Sequence, residues 1–400
     1  MRVLSRLGSG ALVLLVMAAC GSSPATPNLG IPTPSPSSSA ASTSGPSVVP
    51  SNAASRSAIP IGKFTATGSM TAARRSDTDT LLADGRVLLV GGQDENGATL
   101  ASAEIYDPKT SKFTATGSMK IPRWGHTATL LNDGRVLVTG GENEGIVPLD
   151  STEIFDPSTG AFTMGGKMAV ARVNHTATLL QNGKVLIAGG GDDAGNGIDS
   201  AELFDPGTNA FAPTTKMTAA RWGHTATPLK DGRVLIAGGQ DTPDVFASAE
   251  IYDPVAGTFS ATGSMATARW GQTATLLPGG RVLVAGGQDP DDTPLQSAEI
   301  FDPAAGTFTA TDSMTTTRVA HTANLLANGL VLLAGGVDAS GNGVASAELF
   351  NPSDGSFTAT GSLNDARGNH TATTLTNGQI LIAGGADADM VFNSAELYQP

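Results

Sequence analysis

The sequence predicts an all-β fold: a closed seven-bladed β-propeller with four antiparallel strands per blade. Three observations carry this expectation. A Gly-Gly doublet recurs at Gly91, Gly140, Gly189, Gly238, Gly286, Gly335 and Gly384, with spacings of 49, 49, 49, 48, 49 and 49 residues. A fixed period of this length is the mark of a repeat architecture rather than of several unrelated domains. Within each period, short apolar runs alternate with turn signals, which suits four short strands and leaves no room for a helix. Finally, the periodic region begins and ends in mid-repeat, at points that complement each other.

The segment 119–166 shows how each element is specified. His126 to Leu131 reads as the inner strand, and Asn132-Asp133-Gly134 as a turn leading into the second strand, Arg135 to Thr139. Asp-Gly or Asn-Gly between apolar runs is the strongest short hairpin signal, and a type I′ turn is expected there. The turn recurs as Asp84-Gly85, Asn182-Gly183, Asp231-Gly232, Asn328-Gly329 and Asn377-Gly378, with Gly279-Gly280 in the fifth repeat. The second strand runs into the Gly-Gly doublet, where two residues without Cβ permit close backbone approach. A loop leads to the third strand, Ser151 to Phe155, which stops at Asp156-Pro157. The outer strand then begins at Phe162.

The chain ends explain closure. The periodic part opens with Phe64 to Met70, an outer strand without its three predecessors, and closes with Ser394 to Tyr398, a third strand without its fourth. Joining the two completes a seventh blade and removes an open sheet edge that would otherwise invite aggregation.

The Gly-Gly doublet, the Tyr or Phe of the third strand (Tyr106, Phe155, Phe204, Tyr252, Phe301, Phe350, Tyr398) and the aromatic that follows in the outer strand resemble the kelch repeat. The resemblance covers residues 61–400. Where a kelch repeat places tryptophan in the outer strand, this chain has phenylalanine, such as Phe113 and Phe162. It implies the propeller fold. It says little about activity, because kelch propellers include enzymes, scaffolds and binding modules.

Charge and cysteine content narrow the function classes. The chain carries 23 Lys+Arg against 36 Asp+Glu. An acidic balance argues against nucleic acid as a partner, since phosphates need a basic surface. The single cysteine, Cys20, rules out a disulfide framework and any thiolate nucleophile in the propeller. Its setting is more informative. Arg2 and Arg6 precede an apolar run, Ala11 to Met17, and small residues follow. This is the layout of an export signal, too short to span a membrane. Met17-Ala18-Ala19-Cys20 resembles a bacterial lipobox, with Met where Leu is usual, so Cys20 is the expected lipidation site. Residues 21–60 are rich in Ser, Pro, Ala and Thr and cannot bury a core. The organisation expected is therefore a lipoprotein signal peptide at 1–20, a disordered linker at 21–60 and the propeller at 61–400. The protein is expected at the cell surface or cell membrane, lipid-anchored and monomeric.

Aligning the repeats separates scaffold from site. Counting from the Met that precedes each inner strand (Met70, Met119, Met168, Met217, Met265, Met314, and Leu363 in the last), position four is always Arg, from Arg74 to Arg367. The third strand always carries Glu, from Glu104 to Glu396. Seven Arg and seven Glu in register point to a repeated ion pair that builds the blade. Position seven holds all five histidines (His126, His175, His224, His321, His370), with Asp77 and Gln272 in the other two blades. Equivalent atoms on packed sheets sit roughly 10 Å apart, whereas a metal needs donors about 2 Å from one point, so a hydrogen-bonding role is expected and no metal.

Position five behaves differently. It reads Arg75, Trp124, Val173, Trp222, Trp270, Val319 and Gly368, and it holds all three tryptophans of the chain. A position that accepts Arg, Trp, Val and Gly is not required for folding. Aromatics exposed at a channel mouth would suit stacking on sugars or gripping a protein; blade-to-blade packing is the alternative. The loops between second and third strands should open on the same face, and they are acidic and variable. Asp192-Asp193 and Asp289-Pro290-Asp291-Asp292 offer clustered oxygens of the kind Ca²⁺ takes, without the spacing of a known calcium loop. No other cofactor is expected.

The candidate ligand-binding residues are thus Trp124, Trp222, Trp270, Arg75 and Asp77, in a non-catalytic module for a glycan or surface protein. The alternative is a kelch-type sugar epimerase or mutarotase using the irregular pair Arg75 and Asp77. Copper radical oxidase chemistry is disfavoured because the propeller lacks the cysteine for a Cys–Tyr crosslink and Tyr106, Tyr252 and Tyr398 sit at repeat positions.

Overall fold

The computed structural model describes residues 61–145 and 147–400. The signal segment, Cys20 and the linker 21–60 lie outside the described residues. Seven four-stranded antiparallel sheets surround a central channel, and no helix occurs among the described residues. Blade one consists of Thr78–Leu81, Val87–Val90, Ala103–Asp107 and Lys112–Ala115, in that order from channel to rim. Blade two repeats it with Thr127–Leu130, Val136–Thr139, Thr152–Asp156 and Ala161–Met164.

Blade seven takes three strands from the C-terminus, Thr371–Thr374, Ile380–Ala383 and Ala395–Gln399, and its outer strand, Lys63–Ala66, from the start of the described chain. The register pairs Phe64 with Tyr398 and Thr65 with Leu397. The ring closes as the chain ends predicted.

The core lies between blades. All four residues of each second strand are buried, as in Val87–Val90 and Val136–Thr139. Alternation sends them to opposite neighbours. Leu88 and Val90 pack against Val136, Val138 and Phe155 of blade two, while Val87 and Leu89 pack against Leu381 and Ala383 of blade seven. A strand buried on both faces reads as a continuous apolar run, which is what the sequence shows. Each third-strand aromatic lies opposite the outer-strand Phe, as in Phe155 and Phe162, with ring centroids 4.8 Å apart.

The first hairpin turn departs from the type I′ expectation. In Leu82-Ala83-Asp84-Gly85-Arg86, the Gly85 N–H donates to the Leu82 carbonyl at 2.9 Å, and the Leu82 N–H donates to the Arg86 carbonyl at 2.8 Å. Only the glycine has positive φ, at 87°. This is a type I turn followed by a left-handed residue, a three-residue loop with a glycine bulge. Asp84 Oδ1 accepts the Arg86 N–H at 3.0 Å, which stabilises the turn without requiring positive φ at Asp84.

The Gly-Gly doublet joins blade to blade. Gly92 N–H donates to the carbonyl of Arg123 in the next blade at 3.0 Å, and the same bond recurs around the ring up to Gly385 with Arg74. A Cβ on Gly91 would stand 2.5 Å from the Arg123 carbonyl oxygen, and both glycines have positive φ. Close approach and backbone conformation therefore both demand glycine here.

Candidate functional site

The repeated charges are scaffold. In blade two, Arg123 Nη2 reaches Glu153 Oε1 at 3.2 Å, and Nη1 donates to the carbonyls of Gly140 (2.7 Å) and Ser151 (3.0 Å). Glu153 also accepts the backbone N–H groups of Lys120 and Ile121, at 2.7 and 3.1 Å. Every blade has this clamp, with Arg–Glu distances from 2.8 to 3.3 Å and the arginines fully buried. A buried charge must be paired and hydrogen-bonded to be tolerated, and these are. The clamp ties each inter-blade connection to the third strand of the blade it enters.

The histidines of position seven stand at the start of the inner strands, and His126, His175, His321 and His370 line the channel, whose cavity measures about 530 Å³. Each is bonded to a threonine of the preceding blade: His126 Nε2 to Thr78 at 3.0 Å, His175 to Thr127 at 3.1 Å, His224 to Thr176 at 3.0 Å. Gln272 instead donates to the Ala237 carbonyl at 2.8 Å. Burial pushes the imidazoles of His126, His224 and His370 down to about 3, with nearby arginines adding to the effect. Neutral rings fixed in this way serve as linkers between blades, as expected, and are poorly suited to carrying protons near neutral pH.

Blade one breaks the pattern. Asp77 replaces histidine, is 8% exposed, and neither carboxyl oxygen has a hydrogen-bond partner. Two residues on, Asp79 stands where the other six blades have alanine (Ala128, Ala177, Ala226, Ala274, Ala323, Ala372). It accepts a hydrogen bond from Thr373 of blade seven. Burial raises Asp77 to about 7 and Asp79 to about 6. The alignment of the seven copies marks Asp77 as irregular; Asp79, one Asp among six Ala, carries the same signal and is absent from the candidate residues above.

Position five lies on the rim opposite the hairpin turns. Each member pairs through its backbone with the residue after the Gly-Gly doublet: Arg75 with Gln93, Trp124 with Glu142, Trp222 with Gln240, Trp270 with Gln288. The rim and the variable loops therefore share one face. The tryptophans do not form an exposed platform, however. Trp124 is 8% and Trp222 7% exposed; only Trp270 is half-buried. Trp222 and Trp270 meet edge to face, with centroids 5.3 Å apart. Arg75 is half-buried and forms no ion pair among the described residues. Asp77 lies below this rim, inside the channel. The acidic loops are folded on themselves: Asp192 Oδ1 accepts the N–H groups of Ala194 and Asn196, and Asp289 does the same for Asp291 and Thr293.

Beneath the rim runs a second ring. Ser76, Asn174, Ala320 and Asn369, with Gly125, Gly223 and Gly271, occupy position six, all with φ between 52° and 63°. Their backbones bond from blade to blade, as in Asn369 N–H to the Ala320 carbonyl at 3.0 Å and Ser76 N–H to the Asn369 carbonyl at 3.1 Å.

These features define a closed propeller whose regular polar groups are all structural and whose irregular groups gather at one rim and one blade junction. Segments 74–120, 123–169 and 269–315 match the Kelch motif. The chain is a seven-bladed β-propeller, three of whose repeats carry the Kelch motif. No curated protein matches it at a significant level. Among solved structures, a fungal alcohol oxidase of the AA5 family, determined in complex with copper, superposes with a TM-score of 0.69 at 18% identity, over 85% of this chain and 77% of that one. Identity this low speaks for the fold alone.

The residues present do not fit a copper radical centre. The hydroxyls of Tyr106, Tyr252 and Tyr398 bond to Thr67, Thr214 and Thr360 and stack beside outer-strand phenylalanines, away from the channel. The channel histidines are tied to threonines. No group of three or more His, Cys, Asp or Glu side chains that could hold a metal ion occurs among the described residues.

Proposed function

We propose that this protein is a non-catalytic binding module, a surface-tethered kelch propeller that presents one rim to a glycan or a surface protein. One observation carries the reading: the copies disagree where position five and the loops after the Gly-Gly doublets come together on one face. Variable residues on a rigid ring are where recognition sits. The contact surface consists of Arg75, the open part of Trp270 and the outer residues of the acidic loops. Trp124 and Trp222 support this rim from within by filling the space between blades. The signal segment and Cys20 deliver the module to the membrane surface as a lipid-anchored monomer.

The test is binding of the purified propeller to a glycan array and to cell-surface extracts. Arg75→Ala and Trp270→Ala should weaken capture at least tenfold while Tm stays close to that of the parent. Capture unchanged by both substitutions would refute the rim as the contact surface. A second reading, a sugar epimerase or mutarotase, draws on Arg75 above Asp77 in one blade. Mutarotation of common sugars lost on Arg75→Ala would establish it in place of the first.

A further inference from the structure

We infer that the junction of blades seven and one is a site for a small hard cation, held by the carboxylates of Asp77 and Asp79 at the channel wall. The argument begins with what the other junctions do. There, the position-seven side chain fills the space against the first glycine of the preceding blade's doublet. A Cβ on Gly91, Gly140, Gly189, Gly286 or Gly335 would stand 2.6 to 2.7 Å from a histidine Cε1, and one on Gly238 would stand 2.5 Å from Gln272 Nε2. At Gly384 the nearest atoms belong to Arg74 and Met70, and Asp77 is not among them. The shorter side chain does not reach the place that an imidazole occupies elsewhere.

The chemistry of that place also changes. Five junctions put a histidine nitrogen against a threonine hydroxyl, and a sixth puts an amide N–H on a carbonyl. The seventh presents a carboxylate instead. Both Asp77 oxygens are buried without a partner, while Asp77 and Asp79 both line the channel cavity. Thr371 lines it as well, from the blade-seven side. The nearest buried cation, Arg74, is committed to Glu104 at 3.1 Å and to the Gly91 carbonyl at 2.9 Å.

Two carboxylates and neighbouring hydroxyls are an all-oxygen donor set, which suits Ca²⁺ or Mg²⁺ and not the softer transition metals. Water in the channel would complete the coordination shell. A divalent ion would balance two buried acids that form no ion pair with a protein cation, Arg74 being paired with Glu104.

The experiment uses the purified protein, stripped with EDTA at pH 8, and titrates CaCl₂ and MgCl₂ while following heat of binding and Tm. The expected result is one saturable site per chain and a Tm that rises by several degrees, reversed by EDTA. The comparison variant carries Asp77→His and Asp79→Ala, the residues other blades use, and so keeps the fold. It should lose the stoichiometric heat and the Tm response. A parent propeller that gives neither would overturn the inference, and so would a variant that still binds one ion, which would place the ion in the acidic loops.

Discussion

Arg123 and Glu153 form a buried pair in which neither side chain exceeds 0% exposure, at an Nη2–Oε1 distance of 3.2 Å. The glutamate serves two masters: it neutralises the guanidinium and caps the backbone N–H groups of Lys120 and Ile121. Its removal leaves an arginine charge in the interior and two N–H groups without acceptors. Breaking a buried pair from one side costs about 3–5 kcal/mol. Glu153→Ala should therefore shift the urea midpoint well below that of the parent. Glu153→Gln keeps an acceptor for the N–H groups and should lie between. Equal midpoints for all three would show that the clamp contributes nothing to stability.

Ala320 holds φ at 53°, in a ring where three of the other members are glycine and two are asparagine. The left-handed conformation costs an ordinary residue about 1–2 kcal/mol, partly offset in glycine by its larger loss of freedom on folding. Ala320→Gly should stabilise the propeller by roughly 0.5–1 kcal/mol. Because the Ala320 carbonyl accepts from Asn369, the backbone bond is retained in the variant. Calorimetry should record a small rise in Tm, and a fall would show that the Ala320 methyl has a packing role that outweighs its strain.

The histidines make the fold acid-sensitive, and the sign is fixed by burial. His224 titrates near 6.5 when unfolded but is pushed down to about 3 in the fold, chiefly by desolvation and then by Arg221 and Arg172. Between those values the unfolded chain holds a proton that the folded chain does not. Stability must then fall as pH drops from about 6.5 towards 3. Gln272 shows that an amide is accepted at this position. His224→Gln should flatten the decline in ΔG between pH 6.5 and 4 while leaving stability at pH 8 within about 1 kcal/mol of the parent. A parallel pair of curves would mean that His224 titrates alike in the folded and unfolded chains.

Much of this was legible in the repeats. Blade number, strand order, the seam from Phe64 to Tyr398 and the Arg–Glu clamp follow from register, because seven copies of one pattern leave few arrangements. Three features escaped for physical reasons. Asp-Gly suits both the expected type I′ turn and the observed type I turn with a glycine bulge; the distinction lies in the φ of Asp84, which no sequence displays. The burial of Trp124 and Trp222 depends on which way each ring turns from its rim position, which the residue type does not specify. Asp79 differs from six alanines as plainly as Asp77 differs from its counterparts, but its place on the channel wall beside Thr373 belongs to the fold and not to the residue pattern.

The seam offers the last prediction. The outer strand of blade seven is held by backbone pairing from Lys63 to Ala66 and by the Phe64–Tyr398 ring contact at 4.8 Å. Tyr398 in turn bonds to Thr360 of the sixth blade's exit segment at 3.0 Å. Removing residues 61–67 would leave Ala395–Gln399 as an unpaired edge with its aromatic uncovered. Such an edge pairs with other chains. The shortened protein should elute as aggregates on gel filtration and lose thermal cooperativity. A synthetic peptide covering 61–70 should restore the monomer, because the missing strand needs only backbone pairing and one aromatic contact to dock. A shortened chain that stays monomeric with the parent Tm would show that the Gly-Gly bonds between blades, ending in Gly385 with Arg74, close the ring without the strand.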